Sequence, residues 1–206
     1  MGQRPNFRGQ RASRAQTKNP SQQPIEASIF PTSIGWIGAA GRGTTIVALT
    51  MGHASAEEVR AALESSFAGG VSIDVGDWYP ELRRALERYA QGRYVDLRPF
   101  KIDLGPTTPY RRQVLEAARR IPYGKTMSYG ELAAKAGKPR AARAVGSAMA
   151  SNRIALLIPC HRVVAAGGAI GGFSCRTGVE LKQRLLELEA SGLSGKSRGR
   201  AAGRPL

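Results

Sequence analysis

Ser128-Tyr129-Gly130-Glu131-Leu132-Ala133-Ala134-Lys135-Ala136-Gly137-Lys138-Pro139-Arg140-Ala141-Ala142-Arg143-Ala144-Val145-Gly146-Ser147-Ala148-Met149-Ala150-Ser151 is the stretch that decides how this chain folds. Ser128 and Glu131 have the spacing of a capping box, in which a hydroxyl and a carboxylate satisfy each other's backbone amides at a helix start. Leu132, Ala133 and Ala136 supply the apolar face behind it, and Gly137 stops it. Pro139 suits a first helical position, so a second helix is expected from there to about Ser151. Two short helices joined by a tight Gly-Lys-Pro turn form the pattern of a helix-turn-helix. At about 100° per residue, Arg140, Arg143, Ser147 and Ser151 share one face with Ala144 and Ala150, while Val145, Met149, Ala141, Ala142 and Ala148 lie on the other. Small residues let a helix backbone approach a groove, and arginines reach phosphates or bases. A surface helix with solvated arginines is the other reading of the same wheel.

Downstream, Ile154–Ile158 is a continuous apolar run, expected as a buried strand or extended segment. It leads into Pro159-Cys160-His161-Arg162-Val163-Val164. A free thiol is mostly protonated at neutral pH, and a neighbouring imidazole together with local positive charge raises the thiolate fraction. On an extended chain the adjacent His points away from the Cys, so it acts through water more readily than by direct contact. A buried Cys serving as a small hydrophobe is the plain alternative. A Cys–His hydrolase is another, although it needs an oxyanion hole and generally a separately placed His. His53 is the only other histidine and has no supporting motif.

Upstream, residues 25–98 read as a first α/β unit. Ala27–Phe30, Ser33–Ala40 and Thr44–Thr50 are strand-like, with a hairpin turn at Gly41-Arg42-Gly43. A capping box at Ser55–Glu58 opens a helix with Val59, Ala62, Leu63 and Phe67 on its apolar face, ended by Gly69-Gly70. Val71–Val75 is a candidate strand, and Pro80 starts a helix with Leu82, Ala85, Leu86 and Tyr89 at helical spacing. Arg98 to Pro106 reads as the connection, and Thr108-Pro109 opens a helix with Val114, Leu115, Ala118 and Ile121 inward, closed by Pro122.

The formal net charge is +16, and nine of those charges lie in Met1–Gln23 and the last residues, segments without acids. Residues 1–24 and 191–206 are therefore expected as disordered basic arms, and Met1–Gln23 lacks the apolar core of a secretory signal. The +7 that remains belongs to the folded part, as polyanion binding requires. No apolar run approaches the roughly 20 residues of a membrane span. With only two cysteines and two histidines, a structural zinc site, which usually takes four such ligands, is not expected, and a reduced intracellular thiol is the expectation.

Ile158-Pro159-Cys160-His161-Arg162-Val163-Val164 resembles the active-site signature of the O6-alkylguanine-DNA alkyltransferases, the methylated-DNA–protein-cysteine methyltransferases. The likeness takes in Ser128–Ala133, Pro139–Gly146 and Ser151-Asn152 upstream. Gly171-Gly172-Phe173, Gly178-Val179 and Lys182 through Leu185–Glu189 continue it downstream, so it covers residues 106–190. It implies an α+β protein: a small strand-rich, ribonuclease-H-like N-terminal domain (25–98), and a mainly helical alkyltransferase domain (106–190) with a winged-helix-like helix-turn-helix. It also implies roles. Cys160 matches the alkyl acceptor, His161 the base acting through a bound water, and Glu189 the carboxylate that orients the imidazole. Asn152 matches a hinge between recognition helix and active-site segment. Tyr129 matches the residue that helps extrude the nucleotide and assists the departing guanine, and Arg143 the side chain that fills the base stack. Gly130, Lys138, Arg140, Ala142, Ser147 and Ser151 join Tyr129 and Arg143 as implied DNA contacts. The loop from Ala165 to Ser174 is expected to wall the base pocket, whose implied lining is Pro159, Val163, Ala166, Gly172, Phe173 and Ser174.

The implied activity is direct reversal: an alkyl group passes once from O6 of guanine, possibly O4 of thymine, in flipped-out duplex DNA to Cys160. The implied partner is double-stranded DNA containing O6-alkylguanine, with no metal, cofactor, membrane or obligate protein partner. The chain is expected to be a monomer, cytoplasmic and nucleoid-associated in a prokaryote or nuclear in a eukaryote. Cys175-Arg176-Thr177-Gly178 departs from the family's usual Gly pair, and Phe173 stands where Tyr is frequent. A regulator or damage sensor alkylated at Cys160 for signalling remains an alternative, and it calls for an effector domain.

Overall fold

The computed structural model describes residues 24–67, 72–173 and 178–201. The fold is mixed α+β. Strands β1 (Ile25–Phe30), β2 (Trp36–Arg42) and β3 (Thr45–His53) form an antiparallel meander, flanked by β4 (Ile73–Val75) parallel to β1 and β5 (Lys101–Ile102) parallel to β3. The sheet order is β4-β1-β2-β3-β5. Strand alternation divides the buried residues between two layers. Ala27, Ala40 and Ala48 meet Val59 and Leu63 of α1 (Ala56–Ser65), while Ile37, Ala39, Leu49 and Met51 face the larger core. Gly38 is needed for the first layer, because a Cβ there would sit 2.2 Å from Val59 Cγ1.

The larger core continues through α2 (Pro80–Ala90), α3 (Pro109–Arg119), α4 (Tyr129–Lys135), α5 (Ala142–Ala150) and α6 (Gly178–Ala201). A small parallel pair, β6 (Met127–Ser128) with β7 (Val163–Val164), ties the start of α4 to the chain just after Cys160. The capping box at Ser128 forms in full: Glu131 N donates to Ser128 Oγ at 3.2 Å, and Ser128 N donates to Glu131 Oε2 at 2.7 Å.

Several expectations change. Residues Ser33–Gly35 form a turn before β2, and α1 ends at Ser65, ahead of Gly69-Gly70, which lie outside the described residues. Strand β5 falls inside the expected connection; two residues are too few to show a period. Pro139 precedes the second helix instead of opening it. Ala141 N donates to Lys138 O at 3.0 Å, closing a turn with Pro139 at its second position, where a fixed φ is equally favourable. Helix α6 runs on to Ala201, through the first part of the segment expected as a disordered tail. Ser, Gly and cations do not end a helix already nucleated upstream.

The run Ile154–Ile158 is buried, as its composition requires, but it is folded into a turn. Only Ile154 bridges to the sheet, beside Leu49. Leu156 then adopts φ 63°, and Ile158 N returns to Ile154 O at 3.0 Å. A left-handed leucine costs about 1–2 kcal/mol. Complete burial of its side chain is worth about 1.5–3 kcal/mol, so packing holds the turn.

Candidate active site

Three local devices set the position of Cys160. Helix α5 ends at Ala150, and Asn152 then clamps the turn that follows: its Oδ1 accepts Ile154 N at 3.1 Å and its Nδ2 donates to Ile158 O at 2.9 Å. Ile158 O also accepts Cys160 N at 2.8 Å. Cys160–Arg162 is a single 3-10 turn, closed by Arg162 N on Pro159 O at 2.9 Å. The chain is therefore not extended at His161, and the imidazole enters the core.

Cys160 is 6% exposed and lines a cavity of about 330 Å³ with Tyr129, Gly146, Met149, Ala150, Gly172 and Phe173. Burial raises the thiol above its ordinary range, outweighing the hydrogen bond from Asn152 and the charge of Lys182. The resting thiol is therefore protonated. Local positive charge alone does not ionise it.

The inner side of this wall holds a buried ionic cluster. His161 and Glu189 are both 0% exposed, with Nε2 of the imidazole 2.9 Å from Oε1. Arg162 donates to the same carboxylate through Nε at 3.1 and 3.0 Å and Nη2 at 2.8 Å, and through Nη1 to Ile121 O at 2.7 Å. Gly124 N donates to Oε2 at 2.7 Å, and Tyr89 OH to Oε1 at 2.6 Å. Burial pushes the Glu189 carboxyl up, but its hydrogen bonds with His161 and Arg162 and the Arg162 charge outweigh that and hold it at about 2. Burial also pushes His161 below its ordinary value, against the pull of Glu189, so the ring is neutral at neutral pH. Among the described residues its Nδ1, the ring nitrogen not spent on the carboxylate, is buried without a hydrogen-bond partner.

Tyr129 lines the cavity, and Lys182 braces its wall from the interior. Tyr129 OH donates to Gly172 O at 3.4 Å, and its pKa is raised by burial and then by Cys160. Lys182, fully buried, donates through Nζ to Val163 O at 2.6 Å and Gly172 O at 3.3 Å, with its ammonium 5.9 Å from the Tyr129 ring centroid. It fastens the loop before residue 174 to β7.

Similarity to known proteins matches this geometry. The profile of the 6-O-methylguanine DNA methyltransferase DNA-binding domain fits residues 109–191. The methylated-DNA–protein-cysteine methyltransferase of Methanosarcina acetivorans is 40% identical over 120 residues, 58% of this chain and 74% of that protein. Its counterpart from Mycolicibacterium paratuberculosis is 37% identical over 169 residues, 80% and 92% of the two chains. This chain belongs to the methylated-DNA–protein-cysteine methyltransferase family. A crystal structure of Mycobacterium tuberculosis OGT in complex with DNA superposes with TM-score 0.66 at 32% identity, covering 81% of this chain and 94% of that one.

In this methyltransferase the structure brings Cys160, His161, Glu189, Asn152 and Tyr129 to one place, with Gly172 and Phe173 on the cavity wall. The other expected lining residues lie elsewhere. Pro159 borders a separate cavity with Tyr123 and Arg162, Val163 is fully buried, and Ala166 is exposed in a short turn. Ser174 lies outside the described residues, as does the Cys175–Thr177 departure. Gly146, Met149 and Ala150 of α5 line the cavity in their stead. The wheel reading of α5 had placed Met149 inward and Ala150 outward, and a cavity at the helix's edge admits both.

Outside the cavity, Gly130, Lys138, Arg140, Arg143, Ser147 and Ser151 are exposed and Ala142 is partly so, which leaves the cations of the turn and of early α5 open to solvent. Lys138 stands over the Tyr110 ring at 4.8 Å. Ser151 is already engaged by Arg111, which reaches its Oγ and, at 2.7 Å, its carbonyl oxygen. Arg162 and Tyr89 were missed by the sequence reading. Arg162 stands inside the motif and could have been found as the partner a buried Glu189 demands; Tyr89 gave no signal beyond an inward helix position.

Proposed function

We propose that this methyltransferase repairs duplex DNA by moving an alkyl group from O6 of guanine to Cys160 Sγ, once per molecule. One observation carries the reading: Cys160 borders a cavity, next to a buried imidazole–carboxylate pair whose Nδ1 has no hydrogen-bond partner among the described residues. Guanine O6 lies inside the duplex, so the nucleotide swings out, at a few kcal/mol of lost stacking. Arg143, exposed on α5, fills the gap, while Lys138, Arg140, Ser147 and Ser151 hold the backbone. The helix-turn-helix of α4 and α5 docks through the minor groove, as suits a scanner indifferent to sequence.

Within the cavity His161 Nδ1 takes the thiol proton through a bridging water. The thiolate attacks the alkyl carbon in line, forming the S–C bond as the C–O6 bond breaks, and the electron pair leaves with guanine. Tyr129 assists that departure by donating a hydrogen bond, and the proton removed from sulfur is balanced by one gained by guanine. Neutral guanine and S-alkylcysteine are the products. Water does not cleave the thioether, so the protein is consumed. It acts as a single chain.

The test is stoichiometry. With excess duplex carrying radiolabelled O6-methylguanine, at most one methyl binds per chain, peptide mapping places it on Cys160, and Cys160→Ala takes up none. Many turnovers per molecule would instead indicate a hydrolase or a catalytic transferase.

A further inference from the structure

Tyr89 belongs to α2, in the half of the chain that carries no motif, yet its hydroxyl reaches the ionic cluster from 100 residues away. The ring is fully buried and packs edge-on against Tyr123, centroids 5.9 Å apart. Phenylalanine would fill that space equally well, so packing does not explain the oxygen.

The hydroxyl has one proton, donated to Glu189 Oε1 at 2.6 Å, and its oxygen lies 3.3 Å from His161 Nε2. If the imidazole proton were on Nδ1, Nε2 would present a bare lone pair to both Oε1 and the phenolic oxygen. With the proton on Nε2, both contacts are favourable. We propose that Tyr89 is a positioning residue for the transfer: it holds His161 in the Nε2–H form, leaving Nδ1 as the base, and it keeps the ring from retaining a second proton.

The second effect follows from sharing one oxygen. Tyr89 and His161 both lean on Oε1, so the hydroxyl disperses charge that would otherwise pull harder on the imidazole. The remaining charged and titratable neighbours act from known sides. Glu189 and Lys182 face His161 from α6, Arg162 and Cys160 flank it in sequence, and Tyr123 stands behind Tyr89. Burial, then the Glu189 charge, pushes the Tyr89 hydroxyl well above 10, so it remains a donor throughout the working range.

This inference rests on the transfer reading, and Tyr89→Phe in the full chain separates the two. The chain has two histidines, so imidazole 15N spectra are assigned with a His53→Gln variant. The unsubstituted protein should show His161 protonated on Nε2; a proton on Nδ1 overturns the proposal whatever the variant does. In Tyr89→Phe the acid limb of Cys160 reactivity, with O6-benzylguanine and with iodoacetamide, should move up by about half to one pH unit. The rate should fall about three- to tenfold on the acid side of the limb, less at neutral pH where the ring is already mostly neutral, and recover at higher pH. An unmoved limb, or an equal loss at every pH, makes Tyr89 a packing residue and overturns the proposal. Failure of the unsubstituted protein to take methyl from DNA would defeat the transfer reading instead, leaving the nitrogen assignment and the iodoacetamide limb to judge Tyr89.

Discussion

Nε2 of His161 and Oε1 of Glu189 meet at 2.9 Å, with both side chains excluded from solvent. The pair makes stability fall in acid. The Glu189 carboxyl is depressed from 4.5 to about 2, so its contribution is complete above 4.5 and is lost as pH falls towards 2. The His161 pKa is also depressed, so the unfolded ring gains its proton first, and stability declines from about 6.5 downward. Asp96, also held at about 2, mainly by Arg98, stands at the surface and adds little. Urea unfolding from pH 7.5 to pH 3 should show this decline, and Glu189→Gln should flatten its lower part. A flat wild-type profile would contradict the pairing.

Asn152 bridges Ile154 N and Ile158 O across the turn that leads to Cys160. Asn152→Ala leaves Ile154 N without its acceptor and should cost about 2 kcal/mol in thermal unfolding. It also removes a hydrogen bond that lowers the Cys160 pKa, so iodoacetamide labelling should slow at fixed pH. Lost stability with unchanged labelling would limit Asn152 to the turn.

Arg143 is exposed on α5, outside the residues lining the Cys160 cavity. Arg143→Ala should reduce repair of O6-methylguanine in duplex by about tenfold or more, while reaction with free O6-benzylguanine changes less than twofold, about the noise of such rates. Equal losses with both substrates would remove its role in opening the duplex.

Gly146 lines the cavity, and a Cβ there meets nothing within 4 Å. Gly146→Ala should stabilise α5 by roughly 0.5–1 kcal/mol through helix propensity. The same methyl narrows the chamber, so transfer of a benzyl group should slow more than transfer of a methyl. Competition between the two substrates measures the ratio; an unchanged ratio would place the substrate elsewhere.

Local devices were readable from the chain. Ser128 and Glu131 are three residues apart, and their bonds form as that spacing requires. Cys160 and His161 stand together in a motif, and Glu189 followed by resemblance. What composition could not convey was direction. Ile154–Ile158 announces burial, yet nothing in an apolar run says that Leu156 turns left-handed. Pro139 fits a helix start and a turn equally well, and the Ala141–Lys138 hydrogen bond decides between them. Tyr89 was unreadable for a different reason: its partner lies on another element, and one inward tyrosine on α2 looks like core from sequence alone.

The contact between Leu49 and the residues before Cys160 has a cost of its own. Leu49 N donates to Arg153 O at 2.8 Å and Ala155 N to Leu49 O at 3.1 Å, so the segment that ends in Cys160 caps the flank of β3 beyond β5. Whatever dislodges that segment bares a row of amides and carbonyls. An exposed strand edge invites pairing with another polypeptide, so a molecule in which this segment has loosened is open to self-association.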